Sequence, residues 1–314
     1  MAVAAVGVLS VVSLAVGAAG VGLGELVGSD EGRSLLTLSR WPRTAALILS
    51  GAALAVAGLI MQQLTRNRFV APSTAGTVDA ATLGVLTSLL FFASAPVMGK
   101  VLISTAFALA GTAVFVVLIQ RVQFKDVVFV PLVGLLLGGV YRAIAEFVAY
   151  REGLTQSLSV WTNGDFSGII QGRYETLWLA GAAAVLAYAF AHHFSAAGMG
   201  RDFATGIGVD VRRVTALGLS IAAFTTAVVV VTAGAIPFLG LIVPNLVTMA
   251  IGDNLRRTLP VTAMAGAALT LACDILGRLL IFPYEIPIGS IAGVLGAVIF
   301  AALVLRKGNR YAHA

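Results

Sequence analysis

Charged residues are scarce in this chain of 314 residues. Asp, Glu, Lys and Arg make up 11% of it, against roughly 25% in a soluble domain, while hydrophobic residues make up 59% and the mean hydropathy is +0.99. A single hydrophobic core stops growing at roughly 250–300 residues, so much of this apolar surface has to be solvated by lipid. The composition excludes a water-soluble fold and predicts an integral membrane protein.

Cysteine is nearly absent as well, because Cys273, within an apolar stretch, is the only one. A single cysteine excludes a disulfide framework and a cysteine metal cluster, and we interpret it as a small buried residue. The sequence also lacks a nucleotide-binding glycine loop, metal-ligand spacing and a nucleophile beside a base. His192 and His193 fall at a helix end. We therefore expect no active site, no metal and no cofactor, and not an enzyme.

The apolar residues are grouped into runs of membrane-spanning length. A helix needs about 20 apolar residues to cross the hydrocarbon, where unpaired backbone groups are costly. We predict an all-α polytopic protein with about ten spans, at residues 2–24, 44–64, 74–95, 101–120, 127–150, 175–193, 214–233, 238–251, 261–282 and 289–305. The eighth is short and interrupted by Pro237 and Pro244, so a kinked or re-entrant helix is an alternative there, with nine or eleven spans in total.

The first run lacks the basic leader of a signal peptide, so we expect it to be the first membrane helix. The missing basic residues leave open a start further upstream. The longest polar stretches, residues 24–43 and 151–174, are about 20 residues long, which predicts a single domain over residues 1–314. Small residues dominate the runs at 51–58 and 265–272, which is typical of tightly packed membrane helices.

The distribution of basic residues predicts the orientation. With the N-terminus in the cytoplasm, the inner side carries twelve basic residues and the outer side six, so the positive-inside rule favours two cytoplasmic termini in a multi-pass protein of the cell membrane. The inner set is Arg66, Arg68, Arg121, Lys125, Arg201, Arg212, Arg213, Arg256, Arg257, Arg306, Lys307 and Arg310. The outer set is Arg33, Arg40, Arg43, Lys100, Arg151 and Arg173. The net charge of +6 therefore reflects topology and not a nucleic-acid partner.

Few ionisable residues lie within the spans, and such residues usually mark functional sites. They are Asp79, Arg142, Glu146, Asp274 and Arg278. Arg142 with Glu146, and Asp274 with Arg278, are four residues apart on a helix, which is the spacing of an ion pair on one helix face. The alternative is that one member of each pair faces a pathway or an outside partner.

Several segments resemble the FecCD family, the permeases of ABC importers for ferric siderophores, haem and cobalamin. The segment RWPRTAALILSGAALAVAGLIMQQLTRNRFVAPSTAG begins at Arg40, and LSVWTNGDFSG begins at Leu158. The others are GIGVDVRRVTALGLSIAAFTTA from Gly206, AGAIPFLGLIVPNLVTMAIGDNLRRTLP from Ala233 and DILGRLLIFPYEIPIGSIAGVLGAVIFAALVL from Asp274. They follow one another in the family's order over nearly the whole chain.

The sequence departs from the family pattern at three positions. The family usually has His and Arg where this chain has Asn245 and Thr248, and commonly has a small residue where it has Asp79. These variants resemble ferric-siderophore permeases that work as heterodimers. They weaken cobalamin and haem as substrates and favour a second, non-identical permease as partner.

The resemblance implies an importer that moves a ferric siderophore into the cytoplasm, with membrane lipid around the chain. Its other partners would be two ATPase subunits, which hydrolyse the ATP, and an extracytoplasmic substrate-binding protein. The polar loop 199–213 would seat in the ATPase, and its glycines are expected to divide it into two short helices. We assign this role to Arg201, Asp202, Phe203, Gly206, Gly208, Asp210, Arg212 and Arg213.

Two further sites are implied by the resemblance. Arginines matching Arg40, Arg43 and Arg278 contact acidic residues of the binding protein, although anchoring of a helix end and pairing with Asp274 are alternatives. The translocation path would run along the fifth and tenth spans, with close packing as the alternative role of their glycines, Gly134, Gly138, Gly139, Gly289, Gly293 and Gly296. Two other kinds of protein remain alternatives. One is an ion-coupled secondary transporter, in which Asp79 or Asp274 titrates during transport, and the other is a membrane scaffold.

Overall fold

The computed structural model describes residues 2–16, 28–121 and 129–311 and, within these ranges, every side chain except those of residues 304 and 306–311. The described residues contain helices and no strand, in agreement with the all-α prediction. Residues 17–24 of the first predicted span, residues 127–128 of the fifth, Glu25 and Lys125 lie outside the described residues, as do the side chains of Arg306, Lys307 and Arg310.

The helices follow the predicted apolar runs. They are α1 (Ala2–Ala15), α2 (Asp30–Leu35), α3 (Trp41–Thr65), α4 (Thr77–Phe91), α5 (Val97–Arg121), α6 (Phe129–Arg151), α7 (Thr155–Thr162), α8 (Leu177–Ala189), α9 (Ala191–Gly198), α10 (Arg201–Gly206), α11 (Val211–Ala233), α12 (Leu239–Ile251), α13 (Leu255–Leu280) and α14 (Ile288–Tyr311). A short π-helical segment, Leu36–Arg40, joins α2 to α3 without a break.

Length and composition identify five or six membrane crossings among the described residues, and four shorter apolar helices are consistent with a total of about ten. Five helical stretches are long and apolar enough to cross alone: Asp30–Thr65, which contains α3, and α5, α6, α11 and α13. A sixth crossing is formed by α8 and α9 if they are taken together. Four shorter apolar helices, α1, α4, α12 and α14, match the four remaining predicted spans.

Three local features differ from the simplest interpretation of the sequence. The sixth span is bent by 62° between α8 and α9. The eighth is a single helix of 13 residues, α12, which begins after Pro237 and contains Pro244. The polar stretch 151–174 contains a helix of its own, α7. Because α7 has only eight residues and mixed polarity, its sequence carried no spanning signal.

The core is built around α3, whose residues are mostly buried among α8, α11, α12 and α13. Glycines allow this close packing. A Cβ on Gly51 would overlap the backbone of Gly266 on α13, and a Cβ on Gly58 would overlap that of Gly240 on α12. Gly51 and Gly266 belong to the two small-residue runs from which tight packing was predicted, and their contact confirms it.

Two helices lie at the edge of the bundle. α6 packs mainly against α4, and α14 packs against α13 and α12. Both expose large apolar side chains, for example Leu136 at 65% and Phe147 at 66% on α6, and Val294 at 67% on α14. These faces are available to lipid or to another subunit.

The two ends of α3 define the two ends of the bundle. Arg40, Arg43 and Arg278 lie together at its N-terminal end, which we call the arginine end. Residues 199–213 lie at its C-terminal end, the loop end, where Gly198 meets the Gln63 side chain and Gly200 approaches Arg66. The 25 residues of α3 separate the two ends by about 37 Å at ~1.5 Å per residue.

Candidate functional site

Arg43, in the first turn of α3, is bound by two carboxylates at the arginine end. Its Nε and Nη2 donate to Oδ1 of Asp274 at 3.2 and 2.8 Å, and its Nη1 lies 2.8 Å from Oε2 of Glu285. Asp274 belongs to α13, and Glu285 lies in the turn that follows it. Only 14% of the Arg43 side chain is exposed, so these carboxylates compensate for the desolvation of its charge.

Two further arginines bind the C-terminus of α1. Nη1 of Arg40 and Nη1 of Arg278 each donate to two carbonyl oxygens at this end, which belong to Ser13, Leu14, Ala15 and Val16. The last carbonyls of a helix have no partner within the helix, and a cation there also opposes the negative end of the helix dipole. The two arginines therefore fix the end of α1 to α3 and α13.

The structure thus brings together the three arginines that were assigned to binding-protein docking, and it buries Arg40 and Arg278 while leaving Arg43 partly exposed. Arg40 is 7% exposed and Arg278 is 6% exposed. Arg278 forms the ion pair with Asp274 that was the alternative role for this residue. Docking stays a prediction. Arg43 is the best placed of the three for it, because its partner Glu285, at 25% exposure, reaches solvent.

The loop 199–213, which was predicted to seat in the ATPase, has one short helix, α10, and not the two that were expected. Gly206 ends α10 in ordinary helical geometry, whereas Gly208 has φ of +81°, which favours glycine. Asp210 then caps the long helix α11, because its side chain accepts from the Arg213 N–H at 3.1 Å and pairs with the Arg213 guanidinium at 3.0 Å. Arg201, Asp202 and Arg212 are exposed on the same loop.

An exposed apolar ridge runs along this loop. Met199, Phe203 and Ile207 are 58%, 51% and 56% exposed; Phe203 lies in α10, and Met199 and Ile207 flank that helix in the sequence. Phe203 was among the residues assigned to the ATPase contact from the sequence, and Met199 and Ile207 were not. Their spacing within an otherwise polar segment was the signal that pointed to them. Apolar side chains of this size in a polar loop are suited to a groove in a partner protein.

The predicted path glycines on α6 have different surroundings. A Cβ on Gly134 would overlap the carbonyl oxygen of Thr74, and a Cβ on Gly138 would overlap Oδ2 of Asp79. Gly139 has no atom within 4 Å of such a Cβ. Gly134 and Gly138 therefore allow α6 to approach the segment before α4 and its first turn, whereas Gly139 faces the open side of α6.

The glycines on α14 also differ in how closely their surroundings pack against them. A Cβ on Gly289 would lie 2.7 Å from the backbone nitrogen of Gly164, and a Cβ on Gly296 would lie 2.6 Å from Cβ of Phe238. Gly293 has more room, with the nearest atom at 3.5 Å. Close packing accounts for Gly289 and Gly296, and Gly293 stays a candidate for the path.

The charged residues of α6 are paired differently from the expectation. Arg142 donates from Nε and Nη2 to Oδ1 of Asp79 on α4, at 3.1 and 2.8 Å. Among the described residues it makes no ion pair with Glu146, so the pairing expected from their spacing is wrong. Sequence spacing identifies partners on one helix only, whereas Asp79 comes from a neighbouring helix.

Comparison with known protein families identifies the class of protein to which this chain belongs. Residues 5–306 match the model of the FecCD transport family. The chain belongs to the FecCD transport family. Family membership makes it a multi-pass membrane permease and not an enzyme.

Two relatives are similar to this chain over most of their length. The chain is 47% identical to the petrobactin import system permease protein YclN of Bacillus subtilis (strain 168), over 89% of this chain and 88% of that one. It is 43% identical to the ferric-anguibactin transport system permease protein FatD of Vibrio anguillarum (strain ATCC 68554 / 775), over 85% of each.

The fold agrees with this membership. One chain of a metal-chelate type ABC transporter, solved in an inward-facing conformation, superposes with a TM-score of 0.82 at 23% identity, over 97% of both chains. At that identity the likeness supports the fold alone.

One departure from the FecCD pattern has a structural role. The Asn245 amide donates to the carbonyl oxygens of Arg68 and Leu241 at 2.7 and 2.8 Å, and Thr248 donates to the carbonyl oxygen of Asn245 at 3.1 Å. Asn245 therefore connects α12, near Pro244, to the segment after α3. Pro244 has no N–H to donate to the carbonyl of Gly240, four residues before it, and the Gln62 amide donates to that carbonyl at 3.4 Å.

Proposed function

We propose that this chain is the membrane permease of an ABC importer that brings a ferric siderophore into the cytoplasm. The observation that carries the proposal is the FecCD match over residues 5–306, together with relatives at 47% and 43% identity whose names specify petrobactin and ferric-anguibactin. Both names denote iron-binding chelates. A ferric chelate of that class is therefore the cargo we propose.

In this proposal the loop end faces the cytoplasm and receives the ATPase subunits. The excess of basic residues in the loops at that end supports the orientation. The ridge of Met199, Phe203 and Ile207 supplies apolar contacts, and Arg201 and Arg212 supply charge beside it. Because Gly208 and the Asp210 cap fix the connection to α11, movement of α10 is transmitted to a helix that packs on α3.

The arginine end then faces outward and meets the substrate-binding protein. Arg43 is held between Asp274 and Glu285, and we propose that carboxylates of the binding protein compete with Glu285 for its guanidinium. Arginine suits such an exchange because it stays charged and binds carboxylates with two parallel hydrogen bonds. Arg40 and Arg278 support this site by anchoring α1.

We further propose a second, non-identical permease as the partner in the membrane. The supporting observations are the unusual residues Asp79, Asn245 and Thr248 and the exposed apolar faces of α6 and α14. Asp79 and Asp274, on which an ion-coupled mechanism would depend, are both bound to arginine. That pairing gives no support to the alternative of a secondary transporter.

Reconstitution tests the proposal. The chain is placed in liposomes with the ATPase and second permease sought in the adjacent reading frames, and 55Fe-loaded petrobactin is supplied on its binding protein. We expect ATP-dependent uptake only when both permeases are present. Uptake by this chain and the ATPase alone would overturn the heterodimer. Uptake driven by a proton or sodium gradient without ATP would overturn the ABC assignment.

A further inference from the structure

The side of α6 that faces away from the bundle carries a charged residue deep in the membrane. Arg142 lies nine residues before the end of α6 at Arg151, which is about 14 Å along the helix. Its partner Asp79 lies 12 residues before the end of α4 at Phe91, which is about 18 Å. If Arg151 and Phe91 mark the outer surface of a hydrocarbon layer about 30 Å thick, both distances place the pair near its middle.

The two members of the pair differ greatly in exposure. The Asp79 side chain is 12% exposed, and the Arg142 side chain is 61% exposed. Gly138 makes room for the carboxylate, since a Cβ there would overlap Asp79 Oδ2. The aspartate is therefore built into the contact between α4 and α6, and the arginine extends from that contact into the space outside.

Asp79 uses only part of the guanidinium. Both hydrogen bonds from Arg142 end on one oxygen, Oδ1, and come from Nε and Nη2. Among the described residues, Nη1 makes no hydrogen bond. Arg142 thus keeps a positively charged, donor-rich edge directed away from its partner, and that edge is suited to an anionic oxygen.

A guanidinium at this depth cannot face lipid without a large cost, and charged residues inside membranes almost always face a water-filled cavity or another part of the protein. The neighbouring part of the exposed surface of α6, which carries Leu136 and Phe147, is apolar. Gly139, Arg142 and Glu146 share one side of α6 with Leu135, which is 55% exposed. The charge of Arg142 favours an aqueous path along that side, whereas the side with Leu136 and Phe147 is suited to lipid or to a subunit.

We propose that Arg142, positioned by Asp79, is the residue of the translocation path that receives the negatively charged groups of the ferric chelate. The inference rests on the proposed function, and it adds the chemical class of the cargo, an anionic chelate with carboxylate or catecholate oxygens. Asp79 neutralises the arginine when the path is empty. An arriving anionic oxygen binds the free edge of the Arg142 guanidinium and takes over part of the charge neutralisation that Asp79 provides. Neither the arginine nor the anionic cargo is then an unpaired charge at the middle of the membrane.

A set of variants separates this role from a structural one. The full complex, with both permeases, the ATPase and the binding protein, is reconstituted, and import of 55Fe-petrobactin is measured. Arg142→Gln is expected to lower import at least tenfold, and Arg142→Lys to restore part of it. The neutral pair Asp79→Asn with Arg142→Gln keeps an amide–amide hydrogen bond between the helices and is expected to stay as low as Arg142→Gln alone.

The control is Arg151→Gln at the end of the same helix, where the side chain is 73% exposed and pairs with the adjacent Glu152. It is expected to import at the wild-type rate. Import at that rate by the neutral pair, with normal assembly on size-exclusion chromatography, would overturn the proposal. Absence of import by the wild-type complex would instead count against the proposed function.

Accessibility provides a second measurement that does not depend on transport. Cys273 is 1% exposed, so the chain has no competing exposed thiol. Arg142→Cys in the assembled complex is expected to react with the water-soluble, anionic methanethiosulfonate MTSES, and 55Fe-petrobactin delivered by the binding protein is expected to slow the reaction. A thiol that stays unreactive in the complex would place residue 142 in the subunit contact, which would overturn the assignment to the path.

Discussion

Arg43 and Asp274 are 231 residues apart in the sequence and share two hydrogen bonds, both to Oδ1 of the aspartate. This contact joins the first turn of α3 to the last turns of α13. Asp274 is 3% exposed and also pairs with Arg278, so one buried carboxylate holds two arginines. The arginine end depends on that carboxylate more than on any surface pair.

Removal of this carboxylate is expected to destabilise the permease strongly. Asp274→Ala leaves two buried guanidiniums with fewer partners, and breaking a buried pair in this way costs about 3–5 kcal/mol. The control is Asp253→Ala, because Asp253 pairs with Arg68 where both side chains are exposed. An exposed pair is worth about 0–1 kcal/mol. Thermal unfolding of the purified chain in detergent measures both variants, and equal losses would contradict the assigned role of Asp274.

Binding-protein docking is expected to depend on the charge of Arg43. Arg43→Gln should weaken docking at least about tenfold, or 1.4 kcal/mol, with a larger effect at low salt because the attraction is then less screened. Glu285→Gln should strengthen docking, because it removes the carboxylate that competes for Arg43. Surface plasmon resonance on nanodisc-embedded complex measures both. If the Glu285 variant binds no more tightly and the Arg43 variant binds normally, the docking role is wrong.

Substitutions of the two loop glycines, Gly206 and Gly208, are expected to differ in their effect on coupling. Gly208 has φ of +81° and Gly206 is helical, and neither has an atom within 4 Å of an added Cβ. A side chain at Gly208 therefore costs about 1–2 kcal/mol of backbone strain alone. Gly208→Val should reduce the stimulation of ATPase activity by loaded binding protein, and Gly206→Val should have the smaller effect. A larger loss in the Gly206 variant would show that backbone conformation is not what couples the loop.

A larger side chain at Gly51 is expected to disrupt the contact between α3 and α13. Gly51→Val would drive a branched side chain into the backbone of Gly266, and such overpacking costs roughly 1–3 kcal/mol or more where the backbone cannot move. Gly7→Val on α1 is the matched control, because an added Cβ there meets nothing within 4 Å. The yield of monodisperse protein after detergent extraction compares them. Similar yields would show that the two helices can separate to accommodate the valine.

The sequence alone determined the class of the protein and the position of most helices. The length of an apolar run can be read from the sequence locally. Nine predicted spans therefore overlap helices of nearly the same extent, from α3 to α14. Tight packing at the runs 51–58 and 265–272 was also predictable, because only small residues allow two backbones to come close. The bend between α8 and α9 was not, since no proline or glycine marks Phe190.

The tertiary structure alone decided which charges neutralise each other. Spacing along one helix predicted the pair of Arg278 with Asp274, and the structure contains it. The same rule failed for Arg142, whose carboxylate comes from α4. It also gave no sign that Arg43 would bind Asp274 or that Arg40 would bind the end of α1. Hydropathy and spacing act within a segment, whereas an ion pair between helices depends on how the segments are rotated and placed, and that is set by the packing of the whole bundle.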